Sequence, residues 1–307
     1  MSSGGRIGLL VALAAVVVAA GAVVGWLYDS GSPSRPPIEP AVSGFPAPPA
    51  GAVVFAREAG PDVLALGVAS RRDELLLQAS VLDGDGHGVS GRRVVFSLRG
   101  TSYVGRACGA GCYRATVPLV TKPGAIVVEL TGGAAPTRWR VALPAWPAPD
   151  GSPIIARAGR VWRSLRSLAY VEHLASDATN RQTSDWVVAA SDRVSYSIRG
   201  SGGGIVIGMR RWDRSTPTGR WLASQQTAVL TQPVPFWVAV TDAHVLRSSH
   251  ATWVVSFFDP RTPGWFEATV DKQTGHTLEL RMFAAAHFMH DSYRSFDHAP
   301  AIVPPVR

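Results

Sequence analysis

The sharpest chemical grouping lies near the C-terminus, where Met282, His287, Met289, His290 and His298 cluster in a chain that holds few methionines. Thioether and imidazole are soft ligands of the kind that suit copper(I). Side chains alternate between faces along a strand, so His287 and Met289 would share one face and His290 the other. Two ligands do not complete a site, and a third would have to come from His298 or His250. The competing reading is a core strand that ends on a solvent-exposed histidine. Asp83-Gly-Asp-Gly86 resembles a calcium loop but lacks the later carboxylates such a loop needs, and it reads as a plain β-turn.

Cys108 and Cys112 bracket Gly109-Ala110-Gly111, and both flanks, Ser102 to Ala107 and Tyr113 to Leu119, read as strands. A disulfide stapling a hairpin tip fits a chain outside the cytoplasm. A metal or redox pair and free thiols are the alternatives, with no His or Asp close by in sequence to complete a metal site.

The patterns that carry catalysis are missing. There is no G-x-S-x-G elbow, no H-E-x-x-H, no Gly-x-Gly-x-x-Gly and no Walker loop. Gly200-Ser-Gly-Gly-Gly204 falls between two strands, so no helix N-terminus follows it to hold a phosphate. Carboxylates are sparse in the C-terminal half, and none form an evident acid/base pair. The expectation is a protein that binds and is not an enzyme, with no cofactor unless the copper alternative holds.

Aromatic residues are the other resource. Trp162, Trp186, Trp212, Trp221, Trp237, Trp253 and Trp265 all lie in the C-terminal half. Alternating runs such as Trp253, Val255 and Phe257 would put apolar groups on one face, each large side chain contributing about 2–3 kcal/mol when buried. If that face is concave, the candidate lining is Trp162, Leu165, Trp212, Trp237, Trp253, Phe257, Trp265 and Phe283. A filled core and an apolar ligand cavity both remain open.

The elements that must position these residues begin with Ile7 to Leu27, a run without charge. It is long enough to cross the roughly 30 Å hydrocarbon core of a bilayer. Arg6 precedes it and Asp29 follows, which leaves the N-terminus in the cytoplasm and exports the remainder. The reading is a single-pass signal anchor in the cell membrane (residues 1–28), with a cleaved signal ending near Ala20-Gly21-Ala22 as the alternative. Residues 29–59 follow as a linker whose prolines favour an extended spacer.

The formal charge is +8, and it is almost all arginine, since the only lysines are Lys122 and Lys272. That bias, with abundant Ala, Gly, Val and Pro, suggests a GC-rich bacterial genome. No basic tract is present, which argues against nucleic acid and favours contact with anionic lipid headgroups. Arg157, Arg160, Arg163 and Arg166 could reach such headgroups or form a solvated helix face.

Residues 60–144 read as short strands separated by turns at Asp83–Gly88, Pro123-Gly124 and Gly132-Gly133, the pattern of an Ig-like antiparallel sandwich. Pro144 to Pro153 divides this from residues 154–307. There the spacing of Ala158, Val161, Trp162, Leu165, Leu168, Ala169 and Leu174 predicts a helix from Ile154 to about Ser176. Strands are expected at 186–190, 194–198, 205–212, 221–227, 236–240, 252–258, 265–270 and 277–288, with a hairpin closing on Gly275. The fold class is therefore mainly β behind an N-terminal transmembrane helix: a sandwich, then a curved antiparallel sheet, or half-barrel, covered by one helix.

Two resemblances sharpen this. Val81 to Phe96, with Cys108 and Gly111-Cys112-Tyr113-Arg114, resembles the YtkA-like module, an Ig-like domain of bacterial proteins linked to copper handling. Trp186 to Arg199, Ile205 to Trp212, Trp265 to Asp271, Thr274-Gly275 and Arg281 to His290 resemble the LolA/LppX-like lipoprotein-carrier fold, in which an open half-barrel holds acyl chains. In tandem they are similar to the exported tail of actinobacterial copper-transport proteins of CopD type, without the multi-span membrane part. The resemblance implies a lipid or other hydrophobic ligand. A copper-associated accessory protein using His287 and Met289, and an adaptor for a membrane-protein partner, are the alternatives.

Overall fold

A computed structural model describes residues 45–119, 124–133, 135–177 and 179–305. The anchor at residues 7–27 and the first part of the linker lie outside the described residues. Among the described residues no helix is long and apolar enough to cross a membrane. The chain is mainly β, with antiparallel sheets and, among the described residues, one helix.

The N-terminal body is built from β1 (Val53–Ala59), β2 (Asp62–Arg71), β3 (Glu74–Leu82), β4 (Arg93–Leu98), β5 (Thr101–Val104), β6 (Arg106–Gly109), β7 (Cys112–Pro118), β8 (Gly124–Thr131) and β9 (Thr137–Leu143). They form a five-stranded sheet, β1-β2-β3-β7-β6, and a four-stranded sheet, β5-β4-β8-β9. Alternation on β4 and β8 turns Val94, Phe96, Leu98, Ile126, Val128 and Leu130 inward, where they meet Leu64, Leu66, Leu75 and Leu77. Two sheets thus enclose one core. Strand β1 occupies residues read from sequence as linker, so the folded body starts earlier than residue 60. Its Val53 and Val54 are buried, which a polyproline spacer could not achieve.

The Cys108–Cys112 disulfide is formed, closing the β6–β7 hairpin. Its tip folds back on β3, with Val81 N–H donating to Gly111 O at 2.9 Å. Gly111 has φ +63°, and a Cβ there would lie 2.3 Å from Val81 O, so only glycine fits.

The C-terminal body comprises the helix α1 (Ser152–Ser164) and β10 (Ser167–Ala175), β11 (Arg181–Ala189), β12 (Arg193–Ile198), β13 (Gly203–Ile207), β14 (Arg210–Arg214), β15 (Leu222–Gln225), β16 (Thr241–Ser248), β17 (Thr252–Asp259), β18 (Gly264–Asp271), β19 (Thr277–Ala284) and β20 (His287–Arg294). These strands make one eleven-stranded sheet, β15-β14-β13-β12-β11-β10-β20-β19-β18-β17-β16. Val188, Val194 and Val206 from one half share a core with Val255, Phe257, Ala268 and Leu280 from the other, both around Ile155, Ala158 and Trp162 of α1. The sheet therefore curls about the helix.

The helix is shorter than its apolar spacing predicts. Leu165 turns to extended backbone (φ −66°, ψ 139°), and Leu168, Ala169 and Leu174 belong to β10. The run Leu168-Ala-Tyr-Val171 pairs with β11 and β20 on its two sides, and that pairing outweighs a helical stripe. The predicted strand at 205–212 is a hairpin, β13–β14, and the one at 277–288 is β19–β20 turning at Ala285–Ala286. Residues 236–240 are not a strand at all. The hairpin expected at Gly275 is present, with Gly275 at φ +80° and its N–H donating to Asp271 O at 3.0 Å.

The two bodies are fused. Ala52, Val54, Val63, Ala65, Ala69, Leu76 and Leu82 pack against Ala175, Phe258, Trp265 and Phe288 on the back of the large sheet. Phe45 stacks on Phe258 and Trp265 at 5.8 and 5.6 Å. This explains why β2 and β3 are buried on both faces, reading as continuous apolar runs rather than alternations.

Candidate functional site: the concave face of the large sheet

The central strands of the large sheet send every second side chain into the concavity, and the register decides which. Cross-strand pairing puts Tyr170 beside Trp186 and Tyr293, and Trp186 beside Tyr196. The rings form a chain: Tyr196–Trp186 at 4.8 Å, Trp186–Tyr170 at 5.8 Å, Tyr170–Tyr293 at 5.2 Å and Tyr293–Trp162 at 4.7 Å. It continues through Trp162–Trp237 at 5.7 Å and Trp237–Phe257 at 5.6 Å to Phe266 at 5.0 Å. Edge-on and offset contacts of this kind stabilise by about 0.5–1.5 kcal/mol each beyond area burial.

Of the eight sequence-predicted lining residues, Trp162, Leu165, Trp237 and Phe257 are buried in this core and Trp253 packs at its margin. Trp265 and Phe283 are not brought to it. They lie on the opposite parity of β18 and β19 and pack against the sandwich. Trp212 also misses it: it pairs with Ile205, while its neighbour Arg211 turns inward toward Tyr196, and Arg210 lies 5.8 Å over its ring.

The hollow is occupied. Besides α1, the irregular segment 226–240 enters it, placing Trp237 in the core with Leu230, Phe236 and Val240 against it. Few bonds hold the segment. Val238 and Ala239 N–H donate to Asp259 Oδ2 at 2.7 and 3.1 Å, and Gln232 N–H donates to Ser191 O at 2.8 Å. Asp259 is fully buried, and its Oδ1 accepts from Arg261 and Thr262 N–H. One carboxylate thus ties the segment to the β17–β18 turn.

The concave face also carries an acid pair that the sequence reading did not find. Glu172 of β10 and Asp291 of β20 are direct cross-strand neighbours, 7% and 0% exposed. Trp186 Nε1–H donates to Glu172 Oε2 at 3.1 Å, and the Tyr293 hydroxyl donates to Asp291 Oδ2 at 2.5 Å. Asp291 Oδ1 and the nearby Ser184 Oγ have no partner among the described residues. Burial pushes Glu172 up to about 7, partly offset by the Trp186 bond. Burial and the Glu172 charge push Asp291 well above the carboxylate range, and burial with the Asp291 charge raises Tyr293 likewise. Two such carboxyls cannot both be ionised at little cost, so near neutral pH the pair retains a proton.

The metal candidates are placed as follows. Met289 is in the concave core opposite Met282, whereas the His287 ring lies 3.0 Å from Ala285 O and His298 is exposed. His290 points to the other face, beside His173. Among the described residues, the His, Cys, Asp or Glu groups close enough to share an ion are Asp83, Asp85 and His87 at an exposed turn. Asp83 Oδ1 is already used there, accepting from Asp85 and His87 N–H at 3.0 and 2.9 Å. Among the helical arginines, Arg157 donates to Lys272 O and Gln273 O, and Arg163 to Gly159 O, so both serve the fold.

Comparison with family models gives no match, and comparison with curated proteins gives none either. Among solved structures, a single-residue mutant of the apocarotenoid oxygenase of Synechocystis is similar at 9% identity, with a TM-score of 0.13. The match covers 82% of this chain and 63% of that chain. A likeness of that size carries no argument about fold or chemistry.

Proposed function

We propose that this chain is a membrane-anchored, extracytoplasmic binding protein in which an Ig-like sandwich supports a half-barrel module for a lipid or other hydrophobic ligand. One observation carries the reading. The centre of a curled, edge-open sheet is filled by an irregular segment, residues 226–240, whose aromatic side chains occupy apolar space while few bonds hold its backbone. Such a plug can leave without breaking the sheet, and an acyl chain could replace Leu230, Phe236 and Trp237 on the same aromatic surface. The disulfide supports export, since such bonds persist outside the cytoplasm.

The test is native mass spectrometry of the full chain extracted from membranes, alongside uptake of a fluorescent fatty-acyl probe. Wild type is expected to carry or acquire lipid, and Asp259→Ala, which frees Val238 and Ala239, to take up the probe faster. Absence of lipid and of probe uptake in both proteins overturns the reading.

A further inference from the structure

The back of the large sheet is not sealed everywhere by the sandwich. Between the two bodies lies a cavity of about 370 Å³. Glu58 of β1 forms part of its wall, and His173, Arg281 and His290 form part of the other, with Phe283 and Phe288 lining it as well. Register places Thr183, His173, His290 and Arg281 in one row across β11, β10, β20 and β19. The two imidazoles are 6.2 Å apart, and His173 Nδ1 is tied to Thr183 Oγ1 at 3.1 Å.

The charges around this row are unevenly matched. Glu58 is taken up by Arg181 at 2.9 Å. Glu267, which faces Arg281 across β18 and β19, bridges Arg247 at 3.5 Å. Arg281 itself forms no salt bridge among the described residues. Beside it, His290 Nε2 is buried without a hydrogen-bond partner, a position that costs the fold unless something fills it.

We propose that this cleft is a binding site for a small organic carboxylate with an apolar body. The Arg281 guanidinium presents a planar fork of donors that matches a carboxylate, and the neutral His290 ring can add a second donor through Nε2–H. Phe283 and Phe288 supply the surface for the apolar part. A single negative charge fits better than a doubly charged phosphate, because one arginine is uncompensated and the Glu58 carboxylate closes the far side. The site is on the opposite face of the sheet from the hollow and does not depend on the plug.

The experiment is calorimetric titration of the full chain with benzoate, using benzamide as the neutral analogue and inorganic phosphate as an anion with no apolar body. Benzoate is expected to bind saturably, with benzamide and phosphate about ten-fold weaker or worse. Arg281→Gln, at an exposed position, should keep the wild-type melting temperature and lose about ten-fold in benzoate affinity. His290→Gln, which keeps an amide donor, should retain more affinity than His290→Leu. Asp259→Ala should bind benzoate as wild type does. The assignment falls if benzoate does not saturate, if Arg281→Gln binds it unchanged, or if phosphate binds as tightly. It falls equally if Asp259→Ala tightens benzoate binding, since the acid would then occupy the hollow that the freed segment opens.

Discussion

At the scale of single residues, a costly feature among the described residues is the buried pair Glu172 and Asp291. A buried carboxyl is tolerated when protonated or fully hydrogen-bonded, and here each has one donor, Trp186 and Tyr293 respectively. The folded protein therefore holds more protons than the unfolded chain between the ordinary glutamate range, near 4.5, and about 7. Because the native state binds the extra proton, stability is full below that window and is lost as pH rises through it. Glu172→Gln removes the titrating group and keeps an acceptor for Trp186. Melting curves from pH 4.5 to 7.5 should then slope less steeply for Glu172→Gln than for wild type, and identical slopes would rule out this role. Trp162 is the matching apolar case. It is 3% exposed and touches Trp237 and Tyr293, so Trp162→Ala should cost about 3–5 kcal/mol in urea unfolding.

At the scale of elements, the weak member is the segment 226–240, and its anchor is Asp259. Losing that carboxylate leaves Val238 and Ala239 N–H, and Arg261 and Thr262 N–H in the β17–β18 turn, without their partner while the sheet ladders stay paired. Amide hydrogen exchange of Asp259→Ala should rise in residues 226–240 well beyond any rise in β18 and β19; uniform loosening would show that the segment is not a separate unit. This segment also shows where sequence reasoning stops. Phe236-Trp-Val-Ala-Val240 has the composition of a strand, yet Pro233 and Pro235 withhold two backbone donors just ahead of it, and it docks by its side chains and by two backbone N–H bonds to Asp259 rather than by a ladder. The hairpin closing on Gly275 and the strands at 252–258 and 265–270 were legible because turn chemistry and apolar runs are local. The β10 strand was not. Its apolar residues also fit a helical stripe, and only pairing with β20, more than a hundred residues later, decides the matter. That misreading hid Glu172, since a carboxylate on a helix has a solvent face available and one on a doubly flanked strand does not. Asp291, within Phe288-Met-His-Asp-Ser-Tyr293, is flanked by His290 and Ser292, so its alternation with Met289 and Tyr293 on one face was the only local hint of burial.

At the scale of the whole molecule, the organising fact is that two bodies share a core. Trp265 and Phe283 had the composition of cavity residues, but adjacent bulky pairs such as Phe257-Phe258 and Trp265-Phe266 are the mark of a strand covered on both sides. One member of each pair faces the hollow and the other faces the sandwich. The sequence shows the pairs, whereas the identity of the second cover comes only from the fold. The energetic consequence is cooperativity. Trp265 is 1% exposed, within ring contact of Phe45 and Phe258, and the small side chains of Ala52, Ala65 and Ala69 let the two sheets approach closely. Apolar burial of this completeness resembles a domain interior more than a contact between independent modules, which is ordinarily smaller and more polar. Wild type should therefore unfold in a single calorimetric transition. Ala65→Arg places a charge and a long side chain in the buried apolar cluster between the two bodies, while the sandwich interior and the aromatic hollow lie on other faces. Its heat capacity trace should separate into two transitions, one per body. A wild type that already melts in two steps, or a variant that still melts in one, would mean that the shared core is not what couples the two bodies.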